Sequence, residues 1–275
     1  MKLKERLNYF EHYSDWYWRI ISDFGFNYKD DLRARDLLIE YFHEKTHWNL
    51  EEKLVEIQQM LHRKKEIIIY GCGSSLETTI HNIEKKNHLT KLRGVLNITA
   101  DGASVFLRRK NIPIDIIFTD LDGITKLEFN VSQFVIVHGH GDNINKLKNY
   151  RKAIIYKDNI IGTTQVNPKD DIMNPGGFTD GDRIVFFLRA LLQNKQKLYF
   201  IGMDFQDMVG KFSKPYLTKN TEADEIKSKK LHYAIKLLEW IQKRIPNEMI
   251  FVNSPEFSED FKFIGINEFV EELSS

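Results

Sequence analysis

The sequence has a single cysteine and no hydrophobic run long enough to cross a membrane. One cysteine, Cys72, excludes an intrachain disulfide, so we expect a reducing compartment, the cytoplasm. No window approaches the roughly 18 apolar residues of a membrane-spanning helix, and residues 1–10 are charged, unlike a signal peptide. We therefore expect no association with a membrane.

Neither sign of charge is in excess. Lys and Arg total 40 and Asp and Glu total 39, which gives a formal net charge of +1. Such a balance provides no global attraction for nucleic acid, which we do not expect as a partner. A hydrophobic content of 42% over 275 residues is enough for a large α/β domain with an appendage. A homodimer remains open.

Three catalytic motifs are missing as well. The chain has no Walker A sequence, no Gly-x-Ser-x-Gly and no His-Glu-x-x-His. These absences argue against a serine hydrolase and a zinc protease. Any binding of phosphates has to come from a local site of another kind.

The chain divides into two regions of different character. Residues 1–63 carry apolar side chains at helical spacing and three of the four tryptophans, which predicts a helical N-terminal subdomain. Residues 64–275 alternate short apolar runs with helical segments, which predicts an α/β catalytic domain with C-terminal helices. The fold class is therefore α/β: a Rossmann-like, mainly parallel sheet with helices on both faces.

The predicted elements of the α/β region follow from this alternation. Strands are expected at 66–70, 95–100, 115–119, 134–138, 153–156, 197–202 and 249–252. Helices are expected at 76–86, 103–110, 143–150, 181–192, 222–244 and 267–273. The polar stretch 156–174 is expected to form a loop across the edge of the active site.

Acidic side chains follow two of the predicted strands. Asp101 comes after the strand at 95–100, and Asp120 and Asp122 come after the strand at 115–119. The carboxyl ends of strands in an open α/β sheet form the ligand crevice, so these three aspartates should converge. Carboxylates that crowd together need a cation between them, and Mg²⁺, which also holds substrate phosphates, fits oxygen ligands. The alternative for each is a turn or cap.

The segment 138–143, His-Gly-His-Gly-Asp-Asn, follows another strand. Asp142 is a candidate for contact with the ligand or the metal, and a helix cap is the alternative. Zinc binding through His138 and His140 is a further possibility, but the acids nearby suit Mg²⁺ better. This segment therefore adds Asp142 to the candidate catalytic residues.

Glycine-rich and basic segments provide candidate phosphate ligands. Glycines before a helix allow close backbone approach to an anion, although the same pattern fits a tight turn or a capped loop. Lysines in a loop are usually solvated, but they can also contact triphosphate oxygens. The candidates are Gly71, Gly73, Ser74, Ser75, Thr179, Asp180, Arg183, Lys211 and Lys214.

These motifs, taken in order, resemble a known family. The sequence is similar to thiamine-pyrophosphokinase-like catalytic domains and, within them, to the archaeal 6-hydroxymethyl-7,8-dihydropterin diphosphokinases. The resemblance covers roughly residues 67–214 and departs at Ser74, where proline is expected. The segments that carry it are 100–103 (Ala-Asp-Gly-Ala), 115–123 (Asp-Ile-Ile-Phe-Thr-Asp-Leu-Asp-Gly), 138–143, 177–183 (Gly-Phe-Thr-Asp-Gly-Asp-Arg) and 202–205 (Gly-Met-Asp-Phe).

The resemblance implies transfer of diphosphate from ATP, the co-substrate, to a pterin alcohol, with release of AMP, in folate or methanopterin synthesis. It also implies Mg²⁺ binding by Asp101, Asp120 and Asp122, with Asp142 nearby. Thiamine diphosphokinase is an open alternative, because it shares the phosphate chemistry. Two further alternatives are a sugar-nucleotide-dependent glycosyltransferase related to motility-accessory proteins and a catalytically silent nucleotide-binding or scaffold protein.

Overall fold

The computed structural model describes residues 1–273 and is built around an eight-stranded sheet. Its strands are β1 (Glu66–Tyr70), β2 (Leu96–Ala100), β3 (Ile114–Thr119), β4 (Ser132–Gly139), β5 (Ile160–Thr164), β6 (Lys197–Ile201), β9 (Met249–Val252) and β10 (Lys262–Ile264), and a short hairpin is formed by β7 (Met208–Val209) and β8 (Thr221–Glu222). The order is β10-β9-β6-β1-β2-β3-β4-β5, with every neighbouring pair parallel. The α/β class is confirmed.

Helices cover both faces of this sheet. They are α1 (Leu3–Leu7), α2 (Phe10–Phe24), α3 (Tyr28–His43), α4 (Leu50–His62), α5 (Leu76–Lys85), α6 (Ala103–Arg109), α7 (Glu128–Val131), α8 (Ile144–Tyr156), α9 (Asp180–Leu188), α10 (Glu225–Gln242) and α11 (Ile266–Glu272), with 3₁₀ turns at Leu89–Arg93, Gly141–Asn143 and Lys211–Ser213. Successive strand residues face opposite sides, so Ile67 and Ile69 join one core while Ile68 and Tyr70 join the other.

The N-terminal helices contribute to both of these cores. Helices α1, α2 and α4 bury apolar residues in the core that contains Ile67, and α3 buries Ala34 and Leu38 in the core that contains Ile68. Asn49 caps α4, since its side chain accepts a 3.1 Å hydrogen bond from the backbone N of Glu52. The division into units at 1–63 and 64–275 stays a prediction, and residues 274 and 275 lie outside the described part.

Two sequence predictions around α8 are wrong. Residues 153–156 are the last turn of α8 and not a strand, because Ile154 and Ile155 are buried on the helix face that packs on the sheet. A short apolar run does not distinguish a strand from a buried helix end. The predicted loop 156–174 contains β5, whose carboxyl half reads Gly-Thr-Thr and carries little hydrophobic signal. The short strand β10 was also not predicted.

The topology locates the ligand crevice. Strand β1 lies between β2 and β6, so the chain leaves β1 toward one side of the sheet and later returns to pair on the other. Such a switch point opens a crevice at the carboxyl ends of the strands. Among residues 1–273, no helix is both long and apolar enough to cross a membrane.

Candidate active site

A cleft of about 640 Å³ lies at the carboxyl ends of the central strands. Its lining includes most of the residues that the sequence singled out, together with residues of the N-terminal helices such as Asp31. The predicted site residues in the lining are Gly71, Gly73, Asp101, Asp120, Asp122, Asp142, Thr179, Asp180, Arg183 and Lys214. Ser74, Ser75 and Lys211 lie outside it.

Three carboxylates meet in this cleft. One carboxylate oxygen from each of Asp101, Asp120 and Asp180 lies within 4.8 Å of the others, and we call these residues the acid triad. Asp101 follows β2 and Asp120 follows β3, as the sequence predicted, while Asp180 begins α9. The third member is thus Asp180, which the sequence suggested as a phosphate ligand, and not Asp122.

Local structure holds Asp101 in place. Its backbone adopts a left-handed conformation with φ of 46°, which aspartate tolerates better than most residues. Its backbone N donates a 2.7 Å hydrogen bond to the carbonyl oxygen of Phe118, and Thr119 Oγ1 donates a 2.6 Å hydrogen bond to its carboxylate. These bonds turn the carboxylate toward β3 and Asp120.

The electrostatics of the acid triad favour a bound cation. Burial and the neighbouring Asp120 raise the pKa of Asp101 to about 6, and burial, Asp120 and Asp101 raise the pKa of Asp180 well above its usual range. Burial also acts to raise the pKa of Asp120, but His140, Lys214 and Arg183 outweigh it and lower that pKa. A hard divalent cation relieves this repulsion and accepts oxygen ligands, so the residues present fit Mg²⁺.

Asp122 has a different environment. Its two carboxylate oxygens are ion-paired with Lys146 and Lys214. Lys146 belongs to α8, and no sequence motif indicated it. The pair of lysines places positive charge at the rim of the cleft, beside the acid triad, where phosphate oxygens carry negative charge.

The segment after β4 contacts Asp120. His140 Nε2 lies 3.5 Å from the Asp120 carboxylate, and Asn143 Nδ2 donates 2.9 Å and 2.7 Å hydrogen bonds to the carbonyl oxygens of Asp120 and His138. Asp142 is exposed and lines the cleft. The metal-compatible group found within residues 1–273 contains neither histidine, so this segment positions Asp120 and does not form a zinc cluster.

Burial changes the pKa of His138. The His138 ring is buried, and burial lowers its pKa well below the usual value. Its Nδ1 lies 3.1 Å from Thr163 Oγ1. His138 is thus a buried residue that is not part of the lining of the cleft.

Helix α9 supplies Arg183 from near its start. Thr179 and Asp182 form a capping box at the start of α9, which fixes Asp180 in the first turn. Arg183 Nη1 lies 3.4 Å from Asp180 Oδ1, and Arg183 Nη2 donates a 3.1 Å hydrogen bond to Gln165 Oε1. The guanidinium thus adjoins Asp180 of the acid triad.

The loop after β1 packs against the loop after β6. A Cβ atom on Gly71 would lie 2.5 Å from the carbonyl oxygen of Gly202, so this close approach requires glycine. Ser74 Oγ and Ser75 N donate hydrogen bonds of 3.1 Å and 2.7 Å to Asp204. The serines therefore hold Asp204.

The two candidate lysines after β6, Lys211 and Lys214, have different partners. Lys211 lies 2.8 Å from the carboxylate of Glu77. Neither Lys211 nor Glu77 lines the cleft, whereas Lys214 of the same segment reaches Asp122. The structure thus brings one of the two predicted lysines into the cleft.

A parallel sheet whose strand-end carboxylates meet in one cleft is typical of α/β enzymes that act on phosphates. Comparison with known proteins narrows this class. Residues 42–209 match a family model described as 6-hydroxymethylpterin diphosphokinase MptE-like. The chain belongs to this family of diphosphotransferases.

Three archaeal relatives carry the name 6-hydroxymethyl-7,8-dihydropterin pyrophosphokinase. The chain is 35% identical to the protein of Pyrococcus furiosus over 234 residues, which cover 84% of this chain and 94% of the relative. It is 35% identical to the protein of Methanothermobacter thermautotrophicus, over 83% and 93% of the two chains. The protein of Methanocaldococcus jannaschii is 33% identical to the chain, and the match covers 85% of this chain and 96% of the relative.

Proposed function

We propose that the chain transfers diphosphate from ATP to the hydroxyl group of 6-hydroxymethyl-7,8-dihydropterin in a Mg²⁺-dependent reaction that releases AMP. The product would serve folate or methanopterin synthesis. The acid triad carries the proposal, because it offers a cation site beside lysines and Arg183 in a cleft large enough for two substrates. The names of the relatives support the choice of acceptor.

The acid triad would hold Mg²⁺, which when bound neutralises phosphate charge and orients the phosphates for in-line attack. Asp122 keeps Lys146 and Lys214 at the rim of the cleft, where their charges offset those of the departing AMP. Arg183 contributes a third cation beside Asp180. Diphosphoryl transfer mainly requires that the substrates are positioned and that the charge of the phosphates is neutralised. The acid triad with its cation, the two lysines and Arg183 would meet both requirements.

The transfer is direct in this proposal. The pterin hydroxyl oxygen forms a bond to the β-phosphorus, the bond between that phosphorus and the α,β-bridging oxygen breaks, and AMP leaves with the bridging oxygen. The hydroxyl proton passes to Asp142, which is exposed in the cleft and lies outside the acid triad. No covalent phosphate carrier among the side chains is required.

Aromatic rings in the cleft suit a flat acceptor. Phe26 and Phe178 line the cleft with their ring centroids 6.4 Å apart, and Lys230 lies over both rings. A pterin is flat and carries polar groups on its edge, so it can pack on aromatic rings while its edge forms hydrogen bonds. This end of the cleft is our proposed acceptor site.

One assay tests the proposed function. The protein is incubated with ATP and Mg²⁺ together with either 6-hydroxymethyl-7,8-dihydropterin or thiamine. A separate incubation contains Mg²⁺, a sugar nucleotide and a sugar acceptor, without ATP. We expect AMP only with the pterin. AMP formed with thiamine alone would identify a thiamine diphosphokinase, and turnover of the sugar nucleotide would identify a glycosyltransferase. Either result contradicts the proposal.

A further inference from the structure

A buried carboxylate from the N-terminal helices reaches the cleft. Asp31, on α3, is 3% exposed. Its carboxylate accepts hydrogen bonds of 2.8 Å from each of Tyr17 Oη, Gln165 Nε2 and the backbone N of Gly141. Three donors occupy most of the acceptor sites of this buried carboxylate, so it fixes the groups that donate to it.

The most informative of these partners is Gln165, which follows β5. Its Nε2 donates to Asp31, and its Oε1 accepts a 3.1 Å hydrogen bond from Arg183 Nη2. A carboxylate can only accept and a guanidinium can only donate, so the amide between them has a single orientation. The charge on Asp31 therefore determines which end of Gln165 faces Arg183.

The hydrogen bond to Gln165 holds Arg183 in place and leaves other N–H groups of its guanidinium free to donate. Its side chain is 9% exposed and lines the cleft. Its buried Nε has no hydrogen-bond partner within the described residues 1–273. In the same part of the chain, its Nη1 makes only a long contact of 3.4 Å, with Asp180 Oδ1, so the terminal nitrogens of the guanidinium keep donor capacity for an anion in the cleft.

We propose that Asp31 is a positioning residue that acts through Gln165 to aim Arg183 at the phosphates of ATP. The proposal rests on the proposed function, since it takes Arg183 as a phosphate ligand. Asp31 lies before residues 42–209, which match the family model. The N-terminal helices would therefore form part of the binding machinery.

The arrangement predicts the effect of two single substitutions. In Asp31→Asn the new amide has to present its oxygen to the Gly141 N–H, so its NH₂ faces Gln165. Gln165 then turns its oxygen toward residue 31 and its NH₂ toward Arg183, which repels the guanidinium. In Gln165→Glu two carboxylates face each other in a buried place, which is also unfavourable.

Together the two substitutions should compensate. In the double variant D31N/Q165E, the NH₂ of the amide at position 31 donates to the carboxylate at position 165. The second oxygen of that carboxylate accepts the bond from Arg183. The net charge of the pair is the same as in the original protein, so the position of Arg183 is restored.

The test measures binding of the Mg²⁺ complex of α,β-methylene-ATP by calorimetry, because this analogue cannot release AMP. We expect each single variant to bind about 10-fold more weakly, the scale of a lost hydrogen bond to a charged group. We expect the double variant to bind within about 3-fold of the original protein. Asp36→Asn is the control: it removes the same charge from α3, where Asp36 pairs only with Arg35 at 2.7 Å among the described residues, and should leave binding unchanged.

The double variant decides the result even if the single variants fold poorly. Binding by the double variant no better than by either single variant overturns the proposal, and so does normal binding by Asp31→Asn. The pterin assay is scored separately. If the original protein binds the analogue but forms no AMP with the pterin, the proposed function fails while the role of Asp31 stands or falls on the binding data.

Discussion

Thr119 Oγ1 donates a 2.6 Å hydrogen bond to the carboxylate of Asp101, and this bond joins the carboxyl ends of β3 and β2. Both residues are buried. Burial and Asp120 raise the pKa of Asp101 to about 6, and the bond from Thr119 opposes that rise. Thr119 therefore helps to keep Asp101 ionised and aimed at the cation site of the acid triad.

The substitution Thr119→Val tests this relationship. It keeps the shape of the side chain but removes the hydrogen bond to Asp101, together with the acceptor of the 2.7 Å hydrogen bond from the backbone N of Leu121. Mg²⁺ binding should therefore weaken by about 10-fold. Calorimetric titration with Mg²⁺ measures the effect. Thr99→Val is the matched control, because Thr99 is a buried threonine of β2 whose Oγ1 has no partner within residues 1–273. Equal losses in both variants would contradict a specific role for Thr119.

The raised pKa of Asp101 predicts how Mg²⁺ binding depends on pH. Mg²⁺ binds the ionised carboxylate, which is the minor form below a pKa of about 6. Affinity should therefore fall as the pH is lowered through that value. In the metal-free protein the same shift contributes stability at low pH, and this contribution is lost as the pH rises through the folded pKa. Calorimetry at about pH 5 and about pH 8 checks the first point, and equal affinities would refute it.

Asp180 is the member of the acid triad that distinguishes the structure from the sequence prediction. Asp180→Asn removes one carboxylate from the cation site, so we expect kcat to fall by about 10²-fold or more and Mg²⁺ affinity to decrease. Thermal unfolding should change little, because the substitution also relieves repulsion from Asp101 and Asp120. Steady-state kinetics at several Mg²⁺ concentrations measure both constants. Normal kinetics would remove Asp180 from the proposed site.

Much of the fold follows from local sequence signals. Strands β1, β3 and β6 are apolar runs bounded by polar or glycine residues, and each was predicted within a residue or so of its bounds. Strand β5 was not predicted, because residues Gly162, Thr163 and Thr164 can be recognised as a strand only through their pairing with β4. Tertiary pairing supplies information that local propensity lacks.

Only part of the cleft was predictable from the sequence, because some of its side chains come together only through tertiary structure. Strand ends indicate where Asp101 and Asp120 lie, because parallel strands share one edge. Whether Asp122 or Asp180 joins Asp101 and Asp120 depends on where each side chain points. Lys146, which lies on α8, forms an ion pair with Asp122. Asp31 lies in the N-terminal helices and shows no motif, so its contact with Gln165 could be found only in three dimensions.

The glycine loop after β1 predicts a stability effect. A Cβ atom on Gly73 would lie 2.6 Å from the carbonyl oxygen of Gly202 and 2.7 Å from Asp204 Oδ2, so Gly73→Ala forces these groups apart. We expect a loss of about 1–3 kcal/mol in the free energy of unfolding, the usual cost of overpacking. Gly265→Ala is the control, since no atom lies within 4 Å of its added Cβ. Chemical denaturation of both variants measures the difference.

Direct diphosphoryl transfer is tested most directly with ATP labelled at the β-phosphate. The protein is incubated with this ATP, Mg²⁺ and 6-hydroxymethyl-7,8-dihydropterin, and the label is followed in the nucleotides, the pterin and the denatured protein. The proposed mechanism predicts label on the pterin and AMP as the only nucleotide product. ADP as the main product, or label that stays on the denatured protein, would contradict it.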